Sequence, residues 1–149
     1  MKKPSIGHKF YKQGYYKITN IQKYKGNVAD VQFRSSWELV LMRWLDHNPA
    51  VIAWNSEETI IPYISPIDNR QHRYFIDFTA IIVDKNGVTQ KFLIEVKPHA
   101  ETKAPRKQKN YQKKLATYLV NQSKWKYAEM FAKKIGAKFI ILTEREIFQ

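Results

Sequence analysis

The sequence predicts an α/β fold with the element order α-β-β-β-α-β. Three observations carry this reading. Residues 36–46 repeat apolar side chains at helical spacing. Two apolar stretches flank Asp84-Lys85-Asn86-Gly87, which has the chemistry of a hairpin turn. A long helical pattern stops near Gly136, and the continuous apolar run KFIIL (138–142) follows it.

Residues 1–33 precede this core as a basic, aromatic arm. Tyr11, Tyr15, Tyr16, Ile18, Ile21 and Tyr24 lie among its lysines without a clear period, so the arm packs either on the body or on nucleic acid. The domain proper runs from 34 to 149. In its first helix Trp37, Val40, Leu41, Trp44 and Leu45 form one stripe, Ser35 is the expected N-cap, and Asn48-Pro49 ends the helix. ETIIPYI (58–64) reads as a strand, placed at an edge by Pro62. SPIDNR is a turn leading into RYFIDFTAIIV (73–83), read as one strand, and VTQKFLIEVK returns beside it. Pro105 opens a helical stretch carrying Tyr111, Leu115, Tyr118 and Leu119. After an expected break at Ser123, Trp125, Ala128, Phe131, Ala132 and Ile135 continue it to a C-cap at Gly136. KFIIL predicts a strand buried on both faces, and Thr143 with Glu146 a capping box.

Composition narrows the function. The chain has 149 residues, 44% of them hydrophobic, enough for one domain with a core. It has no cysteine, which excludes disulfides and thiolate zinc sites, and its histidines show no paired ligand spacing. No apolar run approaches a membrane span and the Lys-rich start lacks the apolar segment of a signal peptide, so a cytosolic site of action is expected. The formal charge is +13. Residues 1–29 hold seven lysines and no acid, Lys23 and Lys25 among them. A second basic block from Lys97 to Lys114 includes Lys103, Arg106, Lys107, Lys109 and Lys113, with Glu101 its single acid. Such blocks suit a polyanion, because each phosphate contact releases condensed counterions. A solubilising surface or anionic lipid explains the charge equally well; 14% aromatic content argues against a disordered tail.

The chemistry concentrates in KFLIEVKPHA. Glu95 and Lys97 are two residues apart in an apolar strand, so both point to one face. With 84–87 as the turn, Asp77 falls opposite Glu95 at the open end of the hairpin. Glu38 sits in the first turn of the helix expected to cover this sheet. Each residue has a plain structural explanation as well: Glu38 as a capping-box glutamate, Asp77 bonded to a loop amide, Glu95 and Lys97 as a weak surface pair. Taken together, two strand acids beside a lysine point to a divalent-metal site. Mg²⁺, with Mn²⁺ as a substitute, would be held by Asp77, Glu95 and the Val96 carbonyl, polarising a phosphate while Lys97 stabilises developing charge. Arg73 and His72, just before Asp77, stand within reach of a phosphate, although His72 is equally an exposed loop residue.

Asp77 and Glu95-Val96-Lys97 match the D-(x)n-E-x-K pattern of the PD-(D/E)XK nucleases, with Ile76 where the pattern usually has proline. NIQKYKGN, FRSSWELVLMRWLDHNP, WNSEETIIPYISPIDNRQHRYFIDF, FLIEVKP and YLVNQSKW together resemble the head completion nucleases of T-even-type tailed phages. The RSSWE helix also resembles the end-cleaving nuclease subunit of heteromeric transposases. The resemblance implies a restriction-endonuclease-like core, a central mixed sheet flanked by helices. It implies nuclease positions at Glu38, Asp77, Glu95 and Lys97, with Glu38 joining the metal set. It implies action on DNA after packaging, phage head or portal proteins as partners, and a path from host cytoplasm to virion. Gln122 and Trp125 fall in the shared NQSKW segment, Trp125 as a core residue by default. Two rivals remain open: a non-catalytic head-closure protein that keeps the fold, and a junction-resolvase or transposase-type nuclease.

Overall fold

A four-stranded sheet runs through the centre of the molecule, with one long helix on each face. The computed structural model describes residues 13–148; the lysines of the first twelve residues, and His8, lie outside them. In chain order the elements are β1 (Gly14–Tyr15), β2 (Gln32–Phe33), α1 (Ser36–His47), β3 (Val51–Ser56), β4 (Ile60–Ile64), β5 (Gln71–Phe75), β6 (Phe78–Val83), β7 (Thr89–Val96), α2 (Tyr111–Ile135), β8 (Lys138–Leu142) and α3 (Glu144–Ile147). The central sheet has the order β3-β6-β7-β8, antiparallel except for the parallel β7–β8 pair. No helix among the described residues is long and apolar enough to cross a membrane.

Strand alternation divides the core. Phe78, Ala80, Ile94 and Val96 face α1 and join Trp37, Leu41, Met42 and Leu45. Leu93 and Ile76 face the other way, against Trp125, Ala128 and Ala132 of α2. Part of the basic arm belongs to the α1 side: Ile18, Tyr24 and Val31 are buried there, with Tyr24 edge-on to Trp54 at 4.9 Å. Asp46, fully buried on α1, pins this segment. It accepts hydrogen bonds from the Thr19 and Asn20 N–H groups and from the Tyr16 hydroxyl, at 2.7–2.9 Å.

Several elements depart from the sequence reading. RYFIDFTAIIV is two strands, β5 and β6, broken at Ile76-Asp77. β4–β5 and β3–β6 form one antiparallel ribbon, but between the pairs Ser56↔Phe78 and Ile60↔Phe75 three residues face two. This is a bulge, with Glu57 in the left-handed region at φ 55°, and it turns β4–β5 out of the main sheet. β3 has no counterpart in the sequence reading: it is an edge strand whose own register shift, between Val51 and Ala53, spoils the alternation that marks a strand. α2 begins at Tyr111 rather than Pro105, since the crowded cations of 103–109 have no apolar stripe to bury. It passes Ser123 unbroken, because that hydroxyl donates to the Ile64 carbonyl at 2.6 Å instead of competing with the helix backbone. β8 has both faces covered, Ile140 and Leu142 on the α1 side and Phe139 and Ile141 on the α2 side. As an edge strand, however, it is only partly buried. The capping box at Thr143 forms as expected.

Candidate active site

The site lies where the sheet splits, on the face that α2 covers. The β6–β7 register pairs Phe78 with Ile94, and one further step sets Asp77 against Glu95. Asp77 Oδ2 accepts the Val96 N–H at 2.8 Å. Glu95 is buried, with Oε1 taking the Tyr74 hydroxyl at 2.6 Å and Oε2 lying 3.4 Å from Lys97 Nζ. The bulge explains how Tyr74 reaches the site: it swings β5 over the end of β7. Burial first, and then the charge of Glu95, raises the Tyr74 pKa far above the ordinary phenol range, so this group remains a donor.

Two further cations approach. Lys124 of α2 lies over the rings of Tyr74 and Tyr63, at 5.4 and 5.7 Å. Burial holds its pKa below the ordinary lysine value, a shift that Glu95 and Asp77 oppose and Lys97 reinforces. Arg34 makes a bidentate pair with Glu57, both bonds 3.1 Å. That pair raises the Arg34 pKa against the effect of burial, and Glu38 and Asp77 raise it further. Glu38, buried at the start of α1, turns Oε1 to the Arg34 N–H at 3.0 Å while Ser35 Oγ caps the helix on the Glu38 N–H. Arg34 thus meets Glu38 through its backbone N–H and Glu57 through its guanidinium, which also feels the charge of Asp77.

Asp77, Glu95 and Lys97 are therefore brought together, and Glu38 lies beside Arg34 at the start of α1. Among the described residues no three His, Cys, Asp or Glu side chains gather closely enough to hold a metal ion by themselves. The donor chemistry of the pair still suits Mg²⁺, which takes one or two carboxylates and keeps its waters. The Glu95 oxygen that takes the Tyr74 hydroxyl retains a second lone-pair direction. Because the N–H and C=O of one strand residue share a side, the Val96 carbonyl also looks toward Asp77.

The expected phosphate contacts separate. Lys103 and Arg106 line a cleft of about 760 Å³ with Lys113, Lys114, Tyr118 and Asn121 of α2. Lys107, Lys109, Lys25 and Arg73 are exposed, Arg73 lying over Phe75 at 5.4 Å. Lys23 has a structural role instead: its ammonium donates to the Asp46 and Asn48 carbonyls at the end of α1. His72 is exposed and bonded to Asp68, Gln122 is exposed, and Trp125 is a core residue. Sequence reasoning missed Tyr74, Arg34 and Lys124, although RYFID, FRSSWE and NQSKW each contain one of them.

A family model described as TnsA-like endonuclease N terminal matches residues 48–144, a span that holds the bulge, both strands of the site and α2. The chain belongs to the TnsA-like endonuclease family. Its fold is accordingly restriction-endonuclease-like, with the central mixed sheet expected of that class. The chain is also 41% identical over 133 residues to the head completion nuclease of Enterobacteria phage T4, covering 84% of this sequence and 86% of that one. In this TnsA-like endonuclease, Glu38 and Arg34 lie upstream of the matched span, and Asp77, Glu95, Lys97 and Lys124 within it.

Proposed function

We propose that this protein is a Mg²⁺-dependent DNA endonuclease acting in phage head completion, after the DNA is packaged. The observation that carries the reading is the convergence of Asp77, Glu95 and Lys97 at the split end of β6 and β7, in a chain of a nuclease family. The name of the T4 relative supports the setting. Asp77, Glu95 and the Val96 carbonyl would hold the metal, which when bound polarises a phosphate oxygen and makes water a stronger nucleophile. Glu38 is assigned as the outer carboxylate of the site. Lys97 Nζ, positioned by Glu95, meets negative charge that grows on the phosphate during transfer. Tyr74 fixes the Glu95 rotamer from the other side. Lys103, Arg106, Lys107, Lys109, Lys25 and Arg73 hold backbone phosphates with little sequence readout.

Lys97→Ala tests the reading. Losing a group that acts on transition-state charge lowers the cleavage rate about a hundredfold or more. DNA affinity should barely change, since Lys97 is one cation among many. Nicking of linear and branched DNA under Mg²⁺ and under EDTA, with affinity measured beside it, separates the cases. A mutant that cuts like wild type sinks the assignment. A wild type that cuts nothing with Mg²⁺ or Mn²⁺ gives the lead to a non-catalytic head-closure protein.

A further inference from the structure

We propose that Lys124 is a second catalytic cation of this site, its ammonium contacting a non-bridging oxygen of the phosphate that is cut. The inference rests on the endonuclease reading above and adds a residue outside its D-(x)n-E-x-K pattern. Lys124 is half-buried, yet among the described residues no carboxylate lies within ion-pair distance of it. A half-buried cation with no carboxylate in direct contact is costly, since Glu95 and Asp77 act on it only from a distance. Its aromatic floor of Tyr63 and Tyr74 offsets only part of that cost. An arriving anion supplies the rest.

The position specifies which anion. The Tyr74 ring beneath Lys124 belongs to the residue whose hydroxyl holds Glu95, and Glu95 holds Lys97. Lys124 and Lys97 therefore flank one carboxylate, Lys97 paired with it and Lys124 not. Along α2, Lys113, Thr117, Asn121 and Lys124 follow helical spacing, and the first three line the basic cleft. A strand whose phosphates occupy that cleft reaches Lys124 as it reaches the acids. In hydrolysis the water oxygen bonds to phosphorus and one ester P–O bond breaks. Lys124 transfers no proton; it stabilises charge on an oxygen that stays bonded to phosphorus throughout.

The test compares wild type, Lys124→Met and Lys124→Arg in single-turnover cleavage of a duplex oligonucleotide with Mg²⁺, with melting and DNA affinity measured in EDTA. The Met variant should cut about a hundredfold more slowly, and the Arg variant should recover a substantial part of the rate. The Met variant should also melt at or above the wild-type temperature, because an apolar chain over two rings replaces a desolvated charge. Its DNA affinity should change by less than about threefold, one charge among many. Cleavage by the Met variant within about threefold of wild type, well short of the loss expected for such a group, overturns the inference. So does a Met variant that melts more than about 4 °C lower, a loss near 1 kcal/mol, for then Lys124 is a structural prop. If wild type cuts the duplex while these results fail, the endonuclease reading stands and only Lys124 is misassigned. If wild type cuts neither duplex nor branched DNA with Mg²⁺ or Mn²⁺, both fall.

Discussion

Asp46 carries a charge in a place fully closed to water. Burial there opposes ionisation, but the Thr19 and Asn20 N–H groups and the Tyr16 hydroxyl outweigh it, and the folded pKa lies below the ordinary aspartate value of 3.8. A depressed folded pKa stabilises the fold above the unfolded value, and this contribution disappears as pH falls through the folded one. Asp46→Asn presents an amide to donors that want an acceptor, and should cost about 2–4 kcal/mol at neutral pH. Urea melts of both proteins at pH 7 and pH 3 check this: the gap should narrow in acid, and a gap independent of pH would remove the carboxylate from the account. The residue scale is also where the sequence is most informative about chemistry. Glu95 and Lys97 are legible because a strand sends i and i+2 to one face, and Asp77 because a hairpin turn fixes what lies opposite. Tyr74, Arg34 and Lys124 come from three separate elements, and no local spacing records that they meet.

Among the elements, the bulge at Glu57 does the most to build the site. It divides a ribbon that reads as continuous in sequence, bends the chain at Asp77 and swings Tyr74 over Glu95. Its legibility is poor because a bulge is a matter of register between two strands, whereas RYFIDFTAIIV is uniformly strand-like. The left-handed backbone at Glu57 costs an ordinary residue about 1–2 kcal/mol that glycine does not incur. Glu57→Ala and Glu57→Gly both delete the Arg34 pair, so their difference isolates the backbone. The Gly variant should be the more stable by about 1 kcal/mol, equivalent to a melting point roughly 2–4 °C higher. Equal melting temperatures would show that the bulge relaxes once the side chain is removed. Both long helices are legible in extent, but their stripes are only partly buried: Val40 and Trp44 of α1 and Leu119 and Ile135 of α2 are exposed, and Met42 is buried in their place on α1. α2 also differs from its sequence pattern at its start and at Ser123, where a tertiary hydrogen bond reverses the usual local preference.

At the scale of the whole molecule, the +13 charge should make DNA affinity fall with salt on the proposed reading. Replacing Lys103, Arg106, Lys107 and Lys109 with Ala should flatten the slope of log K against log salt by about one for each phosphate that these side chains no longer neutralise. An unchanged slope would take the cleft loop out of the interface. The order of packing has a further consequence. β7 is an inner strand of the sheet, and its last residues are tied on both sides: the Val96 N–H to Asp77, and the Lys97 N–H to the Leu142 carbonyl at 3.0 Å. The basic loop between β7 and α2 lies outside that frame. As solvent or heat loosens the protein, the peripheral parts open first and the innermost strand last. On the proposed reading, the molecule would release its grip on DNA while Glu95 and Lys97 still stand in register, so an injured copy would fall silent by letting go rather than by cutting out of place.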